Sequence, residues 1–162
     1  MFTLQALRLD HESAVLHFEL ENRGYFALSI NDRGDEYFEE FADRHRELLT
    51  EQSTGVGAFY VLVDDGEKIV GRFNLYEIRD GAADVGYRIA QRVSGSGVAT
   101  SAVRELCRIA KLELGLETLR ATTSNENVAS RRVLEKSGFV VAGPTVIVGR
   151  EGTIYELDLT DV

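Results

Sequence analysis

Tryptophan is absent from this 162-residue chain, and cysteine, proline and methionine occur once each. A lone Cys107 closes no internal disulfide, so the fold owes nothing to an oxidising compartment. With a single proline, Pro144, and no low-complexity tract or internal repeat, no linker divides the sequence. Residues 1–162 are therefore expected to form one domain, of a size that buries a core without staples. Long apolar runs are missing too, and so is the basic, apolar start of a secretion signal. These absences predict a cytoplasmic protein with no membrane partner. Basic residues are the minority, 18 against 27 acidic ones, for a net charge of −9. Such a balance argues against nucleic acid as a partner and requires that any anionic ligand be held locally. The three histidines, His11, His17 and His45, have no cysteine or aspartate at ligand spacing, and no metal is expected.

What is present is a pattern that changes period along the chain. "LRLDHESAVLHFELENR" reads as a short strand through Leu7 and Leu9, then a helix capped at Asp10 with Ala14, Val15, Phe18 and Leu20 toward the core. "GDEYFEEFADRHRELLTEQ" carries Tyr37, Phe38, Phe41, His45, Leu48 and Leu49 at helical spacing. Past Gly55 and Gly57 the period becomes two, and residues 58–90 read as a meander of three antiparallel strands turned at "DDGE" and "RDGAAD". A helix over 98–114 stops at Gly115; "ETLRATT" is a strand, "NVASRRVLEKSG" a helix, and "FVVAGPTVIV" and "GTIYELDL" are closing strands. A helix between the third meander strand and "ETLRATT" suits a crossover between parallel neighbours. The expected fold is α+β: a mixed, mostly antiparallel, seven-stranded sheet with a central splay and about four helices.

The stretch "RVSGSGVATSAVRELC" places two glycines and two serines at the point where a helix must begin. The first amides of a helix lack intrahelical acceptors and carry about half a positive charge. Glycine keeps no side chain between those amides and a phosphate. Gly95 and Gly97 therefore let the chain from Val93 to Ala99 wrap a phosphate or pyrophosphate, with Ser94 or Ser96 adding a hydroxyl. Two known phosphate fingerprints do not fit. A dinucleotide loop needs a small third residue where Thr100 stands, and a Walker loop needs a lysine that does not follow.

The pattern resembles the GNAT superfamily of acyl-CoA-dependent N-acyltransferases. Arg92-x-x-Gly95-x-Gly97, followed by Val98, Ala99 and Thr100, is similar to that family's pyrophosphate signature. "NENVASRRVLEKSGF" resembles a second family block through Asn127, Ser130, Leu134, Glu135, Lys136, Gly138 and Phe139. This block and "LHFELENRGYF" look most like the Rim-type branch, the ribosomal-protein N-terminal acetyltransferases and their relatives acting on small amines.

The resemblance implies acetyl-CoA as cosubstrate. Its pyrophosphate would lie on Arg92, Val93, Ser94, Gly95, Ser96, Gly97, Val98, Ala99 and Thr100. Its pantetheine arm would run beside the main chain of Tyr87, Arg88, Ile89 and Ala90, with Asn127 and Ser130 facing it. A backbone N–H at Gly86 or Tyr87 would serve the oxyanion. An alkylamine of pKa about 10 must lose a proton before it attacks. Asp84 is the first candidate base, with Glu126, Tyr76 and Glu156 in reserve. Leu134 stands where many relatives carry a tyrosine acid, and the resemblance to the Rim-type branch implies Ser130 as the candidate acid or the partner that orients sulfur. Asn127 is equally well read as a helix cap. Acceptor choice is expected from the first two helices and the loop joining them, with Tyr25, Phe26, Asn31, Asp32, Asp35 and Glu36 as a mix suited to a cationic amine, together with the final hairpin around "VIVGREGTIY". The implied function is transfer of acetyl to a protein N-terminal or small-molecule amine by a monomer or homodimer. A catalytically silent acyl-CoA-binding sensor is the alternative.

Overall fold

The computed structural model describes residues 1–162. A short strand, β1 (Thr3–Ala6), leads through a 3-10 turn at Leu9–His11 into α1 (Glu12–Glu21). The helix starts later than an Asp10 cap would place it, because Arg8 N–H donates to His11 Nδ1 at 3.0 Å and Asp10 turns back to Arg8 Nε at 3.0 Å. The buried stripe of α1 is Val15, Phe18 and Glu19, continued by Asn22, while Ala14 and Leu20 face outward. A carboxylate thus holds a core position that apolar periodicity assigns to its neighbour.

One turn of helix, α2 (Arg23–Phe26), follows. The next helical pattern breaks at Glu40 (φ −98°, ψ 15°) into α3 (Asp35–Glu39) and α4 (Phe41–Thr54). Across the break the Tyr37 and Phe41 rings meet edge to face, 5.7 Å between centroids. This break and α2 raise the helix count from the expected four to six.

The meander forms as β2 (Ala58–Val63), β3 (Ile69–Arg79) and β4 (Ala82–Ile89). After it come α5 (Val98–Leu112), β5 (Thr118–Ser124), α6 (Val128–Lys136), β6 (Val140–Ile147) and β7 (Arg150–Asp158). The seven strands lie in the order β1-β2-β3-β4-β5-β7-β6. Every neighbouring pair is antiparallel except β4 and β5, which α5 joins as a crossover.

That one parallel pair positions the site. β4 and β5 are paired only over Ala82–Asp84 with Thr118–Arg120, and past Asp84 they part. Ala90 N–H donates to Val70 O at 2.8 Å, so the amides of residues 88, 86 and 84 also point to β3 by alternation. The amides of Val85, Tyr87 and Ile89 point the other way, into the gap. The same alternation sends Arg72, Asn74, Tyr76, Asp84, Gly86 and Arg88 to one face of the sheet and Phe73, Val85 and Tyr87 to the other. Contacts of Arg72 with Glu19 and Tyr37 identify the first as the face covered by α1–α4. Contact of Tyr87 with Ser130 turns the second toward α6. Behind the gap α5 buries Ala99, Ala102, Val103, Leu106, Cys107, Ile109 and Ala110, which fixes the direction in which its first turn points.

Candidate active site

A cavity of about 780 Å³ opens where β4 leaves β5. One end is the glycine loop and the start of α5. Gly95 and Gly97 take left-handed backbone (φ 72° and 83°), and a Cβ built on either meets no protein atom within 4 Å. The requirement for glycine is therefore conformational on the protein side, and the space in front is open to a ligand. No side chain caps α5. From Gly95 to Thr100, six successive amide N–H groups find no acceptor within the protein. The first amides of a helix have no intrahelical acceptor, and here the exposed loop residues Gly95, Ser96 and Gly97 extend that run into an anion cradle. Ser94 Oγ donates to Gln91 O at 2.7 Å and Ser96 Oγ to Val93 O, so both hydroxyls brace the loop.

The sequence-predicted residues divide. Tyr87, Arg88, Ile89, Ser94, Gly95, Gly97, Ala99, Thr100, Asn127 and Ser130 line the cavity. Ser96 and Val98 instead line a smaller recess of about 270 Å³ behind the loop, against Phe2 and Leu4. Val93 is buried in the core. Arg92 turns outward to Asp64, Nη2 to Oδ2 2.9 Å, and holds the Asp64 carboxyl below its usual range; it ties the β2–β3 turn to the loop. Of the four main-chain partners expected for a pantetheine arm, Tyr87 and Ile89 present their polar groups to the gap, while Arg88 and Ala90 are spent on β3. The same geometry selects Tyr87 N–H over Gly86 N–H as the donor facing the splay.

Across the gap, Asn127 caps α6 by accepting Ser130 N–H at 3.2 Å, and its NH₂ group stays free. The Tyr87 phenol stacks on Phe73, 5.4 Å between centroids, and lies 3.4 Å from Ser130 Oγ. Burial pushes that phenol's pKa up, with the Ser130 contact opposing, so it stays protonated. Leu134 is 1% exposed in the core, and Cys107 is buried with its thiol pushed up to about 11 by desolvation. Both are packing residues. Asp84 lies outside the lining, two residues before Gly86 on the α1–α4 face; burial and then Glu77 raise its carboxyl, with Arg120 opposing. Of the reserve bases, Glu156 pairs with Arg120 at 2.9 Å, Glu126 approaches Arg150 at 3.7 Å, and Tyr76 alone lines the cavity.

Tyr76 is held by a close fit. Its ring lies over Gly86, where a Cβ would come within 2.9 Å of the ring edge, and its hydroxyl accepts from Asn74 Nδ2 at 2.9 Å. Asn74 Oδ1 is buried without a hydrogen-bond partner. Beyond it Glu19, 1% exposed, accepts from Arg72 Nη1 and Arg88 Nη1, both at 2.9 Å, and Arg72 also reaches Tyr37 Oη at 3.2 Å. Sequence reasoning missed this cluster, since its members come from β3, β4, α1 and α3 and no local pattern joins them. The expected acidic cleft is also absent. Asp32 and Asp35 are taken by Arg23 at 2.7 and 2.9 Å, outside the cavity, although Tyr25 and Phe26 do line it. None of the helices is long and apolar enough to cross a membrane.

This geometry has known counterparts. A solved ribosomal-protein-S5-alanine acetyltransferase from Vibrio fischeri superposes with a TM-score of 0.92 at 20% identity, covering 99% of this chain and 94% of that one. A spermidine N-acetyltransferase chimera based on the Vibrio cholerae enzyme superposes with a TM-score of 0.81 at 19% identity, covering 99% and 96%. In sequence, the probable N-acetyltransferase YjcK of Bacillus subtilis (strain 168) is 31% identical over 132 residues, 76% of this chain and 72% of that protein. The family described as "Acetyltransferase (GNAT) domain" matches residues 2–140. The chain belongs to the GNAT acetyltransferases, enzymes that use acetyl-CoA to acylate amines.

Proposed function

We propose that the protein transfers acetyl from acetyl-CoA to a primary amine by direct attack in the gap between β4 and β5. The observation that carries this reading is the run of partnerless amides from Gly95 to Thr100, of which Gly95, Gly97, Ala99 and Thr100 line the same cavity as the unpaired edge of β4. The cradle fits a diphosphate, with Arg132 and Lys136 of α6 lining the cavity as further cations. Tyr87 and Ile89 offer main-chain groups to an amide-bearing arm, as an added strand would use them, and the free NH₂ of Asn127 faces it from α6. Acetyl-CoA supplies an activated thioester carbonyl. Tyr87 N–H is placed to donate to the carbonyl oxygen as it gains charge. Ser130, steadied by the Tyr87 hydroxyl, orients the sulfur; a thiol of pKa about 8.5 leaves with little further help.

The amine arrives from the α1–α4 face and gives its proton through water to Asp84, whose raised carboxyl pKa favours proton capture. The reaction forms the amide C–N bond and breaks the thioester C–S bond. The ammonium's first proton passes through Asp84 to solvent before attack; the second, shed from the nitrogen as the C–S bond breaks, goes to the departing thiolate, which leaves as the CoA thiol. Asp84→Asn is expected to lower kcat by roughly 10²-fold, with acetyl-CoA affinity unchanged within about twofold. The effect on stability has the opposite direction. Because the folded-state pKa is raised, ionised Asp84 opposes folding as pH rises through that value, so the Tm of Asp84→Asn relative to wild type should rise between pH 4 and pH 8. A thiol-release assay over peptides and small amines, with Tm recorded with and without acetyl-CoA, tests the whole reading. Binding without turnover of any amine supports the silent sensor, and no Tm response to acetyl-CoA removes the reading altogether.

A further inference from the structure

The charge lining the cavity runs against the charge of the chain. The protein carries a net −9, yet six arginine and lysine side chains line the cavity against one carboxylate, the exposed Glu47. Two of the six, Arg132 and Lys136, belong to α6 at the diphosphate end. The other four, Arg33, Arg44, Arg72 and Arg88, sit on the α1–α4 face, away from the glycine loop. Glu19 is the only acid paired with Arg72 and Arg88, so that buried trio keeps one positive charge. Arg33 has no acidic partner within ion-pair distance, and Arg44 reaches only Glu40, at 3.6 Å. Both guanidinium groups lie against the Tyr37 ring, 4.6 and 5.5 Å from its centroid, which aligns them along one wall.

A second observation concerns the amine end. Asn74 is 9% exposed, lines the cavity and has an unpartnered Oδ1, while its NH₂ is committed to Tyr76. A buried carbonyl oxygen left unpaired costs free energy until a donor arrives, and an incoming amine is such a donor. An acceptor N–H thus has a place beside Gly86 and Tyr76, with a cationic wall beyond it.

We propose that the acceptor is a primary amine bearing a carboxylate a few bonds away, its nitrogen bonded to Asn74 Oδ1 and its carboxylate facing Arg33, Arg44 and the Arg72–Arg88 pair. A polycation such as spermidine is disfavoured by the same wall. This inference rests on the acetyltransferase reading, and the transfer step is the one already written. The carboxylate has two sources, the α-carboxylate of a free amino acid or an acidic side chain near a peptide N-terminus. Arginine is suited to either, because its planar fork binds a carboxylate through two parallel bonds.

The test compares kcat/KM for free glutamate, for tetrapeptides whose second residue is acidic, neutral or lysine, and for spermidine. Wild type and the Arg33→Gln/Arg44→Gln double variant are assayed side by side at low salt. Acidic acceptors should exceed the neutral peptide by about tenfold or more, with the lysine peptide and spermidine lowest, and the double variant should shrink the acidic-to-neutral ratio severalfold. Added salt should erode the same ratio. Which of glutamate and the acidic peptide leads identifies the source. Preference for spermidine or the lysine peptide overturns the inference while leaving the acetyltransferase reading intact, as does a ratio that the double variant leaves unchanged. Acetyl-CoA binding without turnover of any acceptor overturns it as well. Failure of acetyl-CoA to bind at all marks the failure of the reading beneath it.

Discussion

The two ends of the cavity are built from different materials. The diphosphate end is backbone: six unpaired amides, two left-handed glycines and an open strand edge, with side chains in supporting parts. The acceptor end is side chain: guanidinium groups, one buried carboxylate, an amide and a phenol gathered from α1, α3, α4, β3 and β4. A backbone site is specified locally, since φ angles and helix starts follow from a few adjacent residues. A side-chain site is specified only once distant segments pack. The first end fits a cosubstrate common to the family; the second is where this chain can differ from its relatives.

Substitutions at each end should separate the two. Glu19→Gln is expected to have the largest effect, about 3–5 kcal/mol of lost stability by denaturant unfolding, because it leaves two largely buried guanidinium groups without a counter-charge. A loss below about 1 kcal/mol would mean that Glu19 is not the keystone of the acceptor end. Gly97→Val acts at the opposite end. It forces a β-branched residue to φ 83° and fills the open space before the amides, so calorimetry should show acetyl-CoA affinity reduced roughly 10²-fold through the loss of one or two charge-assisted bonds of about 1.5–3 kcal/mol each. Amine selectivity, read at saturating acetyl-CoA, should survive that change. Gly86→Ala sits between the ends and should do least to folding. Its methyl meets the Tyr76 ring at 2.9 Å, so kcat for the amine should fall about three- to tenfold while acetyl-CoA affinity holds. Equal loss at both substrates would erase the division.

The same contrast explains what the sequence made legible. "RVSGSGVAT" and "NVAS" read correctly as a loop, a helix start and a cap, because the torsions they require are local. The gap between β4 and β5 was legible from the order of elements, since a crossover helix implies one parallel pair. Glu19 was not, because its apolar neighbours set the helical period and its partners lie 53 and 69 residues away. The family resemblance implied Arg92 as a pyrophosphate ligand, whereas in the structure Arg92 pairs with Asp64 of the facing turn. Asp32 and Asp35 suggested an acidic cleft until Arg23 folded back on both. The sequence left Gly86 and Tyr87 level as oxyanion donors, and only the Ala90–Val70 bond fixed which amides are free.

Amide hydrogen exchange with and without CoA tests the backbone cradle most directly. The account predicts new protection at Gly95–Thr100, Tyr87 and Ile89, with Gly86 and Arg88 already protected by β3 before CoA is added. Unchanged exchange across Gly95–Thr100 at saturating CoA, or protection confined to side-chain-rich α3 and α4, would contradict it.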